Sequence, residues 1–364
     1  MANASAAATT FNLPNYVGEL FLVGNYRTPF LTMIGGLTSG GRAVNGWEYP
    51  VSVEESLEAA AQPDITETAS LTAPTPKTYV PTQMTNVCQI FQKQVSVSYA
   101  RMSDNATLSG LSLLGNNPIT DPVEHQKMRT LEQIAVDVEY TMLNGSYQKA
   151  AAATVSPAAA EKSNKMRGII PAITTNVVAA GSAPLSRAHI NTLVAAMADA
   201  GAPFKNPVIF GNSAVKQSIT ALYGTTPLGA APQSRTIGGL NIQTIVTDFG
   251  EIGVAYDRFV PAGTLLIADL AFIMPVSLAV PGKGHMFYEP LSKTGAGESG
   301  QFYGQIGLAY GPEVYHGKIT GLSGTTDPSQ AVSINASSMS VAADAMTVTT
   351  DAVTVNQATA ESGD

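Results

Sequence analysis

The chain has 364 residues, 19 basic against 27 acidic side chains, a formal charge of −8 and 45% apolar residues. That apolar content sustains a sizeable core and excludes a wholly disordered chain, while so few cations leave no footprint for gripping nucleic acid by its phosphates. A single cysteine, Cys88, excludes an internal disulfide and a thiolate zinc site, so folding must rest on packing.

The first residues lack the positive and apolar regions of a signal peptide, which predicts a chain that starts in a cytoplasm. Within residues 1 to 46 the segment NYVGELFLVGNYRTPFLTMIGG has too few periodic positions for one long helix, predicting an extended arm with a short helical piece. Trp47 to Val53 alternates as a strand, and Glu54, Glu55, Glu58, Asp64 and Glu67 follow before a Pro-punctuated return into the strand-like Val87 to Tyr99. This reads as a long acidic hairpin, and a projecting ribbon of about 40 residues needs a neighbouring surface to lie on.

Asp121-Pro122-Val123-Glu124 is a helix start, with an acid at the N-cap, proline at the first position and an acid at N3. Leu131, Ile134, Ala135, Val138 and Met142 then form one apolar stripe that ends at Asn144-Gly145. Such a helix of about 22 residues spans roughly 33 Å and can serve as a backbone for other elements. A loop rich in Ala and Ser, 150 to 164, precedes a mixed lobe. There Ser186 to Ala200 reads as a helix with Ile190, Leu193, Val194 and Met197 on one face, Pro207 to Phe210 as a buried strand, and Ser213 as the cap of a helix carrying Val215, Ile219 and Leu222. Residues 238 to 280 read as several strands, and 286 to 320 alternate again. The apolar run 265 to 280 is too short for a bilayer span and contains Asp269 and Pro275, which favours buried strands. Beyond Lys318 no basic residue remains, and QAVSI, SSMSV, DAMTV and DAVTV repeat in steps of seven, predicting small strands that order on a neighbour or by association.

The candidate chemistry is thin. Gly295-Ala-Gly297-Glu-Ser-Gly300 matches the dinucleotide fingerprint as a string, but the strand-like QFYGQIGLAYG that follows predicts a hairpin turn instead of a phosphate-binding helix. The histidines, at 125, 189, 285 and 316, are far apart, and His285 and Glu289 sit on a strand-like run where four-residue spacing does not bring them together. Cys88 has no nearby base and reads as a buried inert thiol. Asp248, Glu251, Asp257 and Asp269 could supply a carboxylate pair, although turn acids between strands are the commoner explanation. No catalytic, cofactor-binding or metal-binding residue is therefore assigned.

The order of elements is the informative signal. The blocks VGELFLVGNYRTPFLTMIGG, LEQIAVDVEYTMLNG, VTDFG with DRFVPAGTLLIAD, and EPLSKTGAGESGQFYGQIGLAYG resemble, in the same order, those of tailed-bacteriophage major capsid proteins of the Hong Kong 97-type fold, over about residues 16 to 322. The resemblance implies an α+β fold with an N-terminal arm (1–46), an extended loop over an adjacent subunit (47–85), a peripheral domain (86–184) with a spine helix at 119–145, an axial domain (185–285), return strands of the peripheral domain (286–322) and a tail (323–364) outside the likeness. It further implies a structural protein, not an enzyme, that assembles in a bacterial cytoplasm into pentamers and hexamers of an icosahedral virion shell around double-stranded DNA. Scaffolding, portal and decoration proteins are its implied partners, with no membrane and no sequence-specific contact to DNA. A separate scaffolding protein, or removal of a segment before position 1, both stay open. The crosslinking chemistry of some relatives is not carried over, because Lys77, the loop's one lysine, has no identifiable partner set. Two other readings stand beside this one: an encapsulin-like compartment, and a soluble α/β enzyme that would need a convergent polar site.

Overall fold

The computed structural model describes residues 28–36, 41–55, 57–103, 121–151, 162–223, 234–237, 240–293 and 295–323. The seven-residue repeats and the first 27 residues of the arm lie outside them. The described residues all belong to one compact unit.

The arm's helical piece is a short helix, α1 (Pro29–Met33), followed by β1 (Arg42–Val44). The ribbon is β2 (Glu48–Glu54) paired antiparallel with β3 (Thr82–Val87), with a register shift between Pro50 and Ser52. Between them the only regular element among the described residues is one helical turn, α2 (Glu67–Ser70), capped by the Thr66 hydroxyl. The expected long hairpin is thus paired only at its base. Pro63, Pro74, Pro76 and Pro81 each lack the N–H that a ladder needs, which limits pairing beyond Glu54. After β4 (Gln89–Ser98) and α3 (Tyr99–Ser103) comes the long helix α4 (Pro122–Asn144).

Helix α4 begins and ends where local chemistry dictates. The Asp121 carboxylate accepts from the Val123 and Glu124 amides, Pro122 costs no hydrogen bond at the first position, and the Gly145 N–H closes on the Thr141 carbonyl. Gly145 is required by crowding: a Cβ there would stand 2.5 Å from both the Met166 and Thr141 carbonyl oxygens. Ile134, Val138, Met142 and Leu143 are buried, but Leu131 is 43% exposed, contrary to its expected place on the buried stripe. The reason is a gap between the helix and the sheet beneath its first half, described below.

The remaining elements are α5 (Ile169–Ala172), β5 (Val177–Ala179), α6 (Arg187–Asp199), β6 (Pro207–Gly211), α7 (Ser213–Tyr223), β7 (Ser234–Ile237), β8 (Leu240–Thr247), β9 (Gly250–Tyr256), β10 (Leu265–Asp269), β11 (Met274–Leu278), β12 (Met286–Pro290), β13 (Gly297–Ala309) and β14 (Gly317–Thr320). Helix α6 falls where expected, and the Ser186 hydroxyl caps it by accepting from the His189 amide. Helix α7 is capped by Asn212, whose Oδ1 accepts from the Val215 amide, and Ser213 is its first helical residue. The asparagine precedes the serine and meets the same amides first.

Two sheets organise the unit. In the five-stranded sheet β13 is the centre: β4 pairs with it from Gln89 to Ser98 on one side, while β12 and then β11 pair with it on the other. Strand β1 adds to β11 in parallel. The seven-stranded sheet has the order β5-β14-β10-β6-β9-β8-β7, in which β6–β9 and β14–β5 are parallel. One apolar core gathers Phe30, Tyr49, Val138, Met142, Ile169, Val276 and Leu308, and the other gathers Ile190, Leu193, Met197, Ile209, Ile252 and Ile267. Among the described residues no helix is long and apolar enough to cross a membrane.

Candidate assembly surfaces and buried polar sites

The ribbon is fastened firmly at its root. Tyr49 is buried and its hydroxyl donates to the Leu308 carbonyl at 3.0 Å. It lies on Gly307, where a Cβ would come within 2.3 Å of the hydroxyl, so only glycine leaves room for the ring. Asn86, also fully buried, donates to the Arg167 and Leu308 carbonyls and accepts from the Val87 and Arg167 amides. Glu48 pairs with Lys149 and accepts from Thr85, and both contacts lower its pKa.

Beyond that root the chain is bare. Every described residue from Leu57 to Gln83 is exposed, including Leu57, Ile65, Leu71 and Val80, at 78%, 69%, 84% and 75%. The acids Glu58, Asp64 and Glu67 stand among them, and Lys77 pairs with Glu58 across the loop. Four large apolar side chains held in water by an anchored ribbon form a surface built for contact.

A second open feature lies under the first half of α4. A cavity of about 410 Å³, lined mostly by Leu31, Leu131, Ala135, Met286, Phe287 and Phe302, separates the helix from β12. It accounts for the exposure of Leu131. At its border Lys127 pairs with Glu124 and lies over the Tyr288 ring at 4.8 Å.

The chemical candidates from the sequence separate in space. Residues 295–300 lie in the β12–β13 turn and the first residues of β13, not at a helix start, so nothing there cradles a pyrophosphate. Glu289 pairs with Lys283 instead of meeting His285. Cys88 is fully buried, and burial pushes its thiol up to about 12, away from thiolate chemistry. His316 is buried, with Nδ1 accepting from the Asp269 amide at 3.1 Å and Nε2 bonded to the Tyr310 carbonyl; burial lowers its pKa. No group of three or more His, Cys, Asp or Glu suited to a metal occurs among the described residues.

The four acids treated as a possible cluster do not converge either. Asp248 and Glu251 are in the β8–β9 hairpin. Asp269 accepts from the Lys205, Asn206 and Ala271 amides and so fixes a turn. Asp257 meets an acid that sequence reasoning did not select, Glu139 of α4, with both side chains fully buried. The signal was present: Glu139 lies between Ala135, Val138 and Met142 on the buried stripe, where an ionisable group is unusual.

A family model for the SU10 major capsid protein matches residues 3–323. The chain belongs to the SU10 major capsid protein family. Solved structures agree on the fold. The SrpI encapsulin of Synechococcus elongatus PCC 7942 aligns with a TM-score of 0.53 at 12% identity, covering 86% of this chain and 94% of its own. The capsid of cyanophage A-1(L) gives 0.52 at 13% identity with 87% and 99% covered, and a chain of Mycobacterium phage Che8 gives 0.50 at 12% identity with 86% and 98% covered. No curated protein sequence matches the chain. This capsid protein therefore has the Hong Kong 97-like α+β fold and is a tailed-phage major capsid protein, a structural component of the virion shell. The sequence blocks reached the same family from residues alone.

Proposed function

We propose that this subunit closes pentamers and hexamers of an icosahedral shell around double-stranded DNA, with residues 47–85 as the extended loop lying over an adjacent subunit. The observation that carries this is the anchored ribbon ending in exposed Leu57, Ile65, Leu71 and Val80. Those side chains gain by leaving water, at about 25 cal/mol per Å² of apolar surface, and the loop itself offers nothing to cover them. In this reading residues 86–184 and 286–322 form the peripheral domain and 185–285 the axial domain, with β11 lent to the five-stranded sheet and β5 and β14 to the seven-stranded one. The arm and the tail are further contacts between copies. No catalysis is assigned to the subunit. With its acidic balance it encloses DNA without sequence-specific contact, and scaffolding, portal and decoration proteins complete assembly in the bacterial cytoplasm, away from membranes.

The test replaces residues 57–80 with a short Gly-Ser linker, which the pairing of Glu54 with Thr82 permits geometrically. The variant should melt like the parent and form no closed shells by electron microscopy. Normal shells from it would overturn the loop assignment. Protein cargo instead of DNA inside parental shells would favour the encapsulin-like reading.

A further inference from the structure

The loop that leaves the ribbon ends in a shaped tip. Its two limbs stay in step through Glu54 against Thr82 and then through the Lys77–Glu58 pair, which leaves the residues around α2 at the far end. There the Thr66 hydroxyl caps the single helical turn, with Ile65 before it and Leu71 after it, and both apolar side chains stand in water. Asp64 and Glu67 flank Ile65. The cavity beneath α4 has the opposite character. On its sheet side Tyr288 of β12 and Phe302 of β13 are register partners with rings 5.1 Å apart, and Leu131 and Ala135 line its helix side. Lys127 lies over the Tyr288 ring and Lys283 over the Phe287 ring at 5.2 Å, so a cation stands at each of two lining rings.

We propose that this cavity is the socket for the loop tip of a second copy of the chain: Ile65 and Leu71 enter between α4 and β12, and Asp64 and Glu67 meet Lys127 and Lys283 at the rim. The proposal rests on the reading of residues 47–85 as a loop lying over an adjacent subunit, and it names the place that the tip occupies there.

Polarity, charge and topology each select this occupant. A cavity of about 410 Å³ has the size of spaces that enclose a bound group, and its mostly aliphatic and aromatic lining gives water few partners, so an apolar group fills it best. The stretch from Glu54 to Glu67 carries five acids and no base, whereas both charges set over lining rings are positive. Their present partners, Glu124 and Glu289, are themselves 61% and 39% exposed, and ion pairs so open to water contribute little and exchange readily. The chain's own Ile65 and Leu71 are exposed, so its own tip does not fill its own cavity. Knob and socket therefore lie on different parts of every copy, and filling each socket makes a head-to-tail contact. Contacts of that type close into rings when the rotation between neighbours fits.

The test uses particles of the full chain assembled from ordinary and heavy-nitrogen-labelled subunits and treated with a carbodiimide, which joins a carboxylate to an amine in contact with it. Mass spectrometry should find mixed-label links from Asp64 or Glu67 to Lys127 or Lys283, with same-label Glu58–Lys77 links as the internal control. Ala135→Phe fills the socket without touching a charge, so the unassembled variant should melt at or above the parent while those mixed-label links are lost. Ile65→Ser with Leu71→Ser alters only exposed side chains, should lose the same links, and decides the matter if Ala135→Phe fails to fold. Mixed-label links from the loop to the exposed Lys149, Lys162 or Lys165 in place of Lys127 and Lys283 would overturn the socket and leave the loop reading standing. Unchanged links in a folded variant would do the same. The absence of every mixed-label link from the loop would overturn both.

Discussion

Replacing Asn86 by alanine should destabilise the subunit more than any other single polar substitution at the ribbon's root. The Asn86 amide makes four bonds, at 3.1 Å to the Arg167 carbonyl, 2.9 Å to the Leu308 carbonyl, 2.9 Å from the Val87 amide and 2.8 Å from the Arg167 amide. Alanine removes that partner from two backbone N–H groups and from the Arg167 carbonyl, while the Leu308 carbonyl keeps the Tyr49 hydroxyl. Each orphaned buried group costs about 1–3 kcal/mol, and one water entering the vacated space offsets part of it, so the loss is about 3–6 kcal/mol. That is a large share of the 5–15 kcal/mol or so that holds a typical domain together. Chemical denaturation of the unassembled subunit measures it, with Gln92→Ala as the control, since the Gln92–Gln301 bond is exposed and its removal should cost within about 0.5 kcal/mol. A loss below about 1 kcal/mol for Asn86→Ala would refute the reasoning, because it would mean that water already reaches the root of the ribbon.

Three further outcomes are expected. Val138→Asp should abolish folding because it buries an unpaired charge, whereas Leu131→Asp, at the open mouth of the cavity, should express as soluble, cooperatively melting protein; expression and thermal melting separate the two. Cys88 should stay unreactive to a thiol reagent at pH 8 in the native protein and react only on denaturation, because its thiol is buried and pushed up to about 12. Stability should also fall as pH drops below the ordinary histidine range of about 6.5, because His316 binds its proton in the unfolded chain before it does in the native one. Titrating His316 by NMR should place it below that range, and a value at or above it would contradict the buried neutral ring.

Helix α4 was legible almost residue for residue because its signals are local: Asp121 and Pro122 at one end, Asn144 and Gly145 at the other, and an apolar stripe between them. The extent of α6 and the strand β6 were legible for the same reason. Pairing was not. Strands β13 and β14 are separated only by a short turn, yet β13 centres the five-stranded sheet while β14 joins β10 and β5 in the other, and no local pattern encodes that choice. The acids show the same limit. Asp248, Glu251, Asp257 and Asp269 are neighbours in sequence and scatter in space, whereas Asp257 finds its partner on a helix read much earlier. Leu131 fits the helical period, but whether a helix face is covered depends on where β12 stands, which is a property of the sheet and not of the helix.

The buried polar groups share a placement that bears on assembly. Asn86 joins the ribbon to the segment before α5 and to β13; Glu139 joins α4 to α1; the Asp257 amide joins the end of β9 to the end of β6; Asp269 and His316 join the end of β10 to the turn before β14. Each stands at a junction between segments distant in the chain, while the interiors of both cores are aliphatic and aromatic. Apolar packing tolerates small shifts between elements, but hydrogen bonds fix direction and are lost once the geometry departs from a narrow range. Junctions of this kind hold the elements in one arrangement over a range of conditions and yield together when a bond fails. A subunit made in many copies needs the first property to close a regular shell. The second confines failure to those junctions, because the aliphatic and aromatic packing of both cores does not depend on the same bonds.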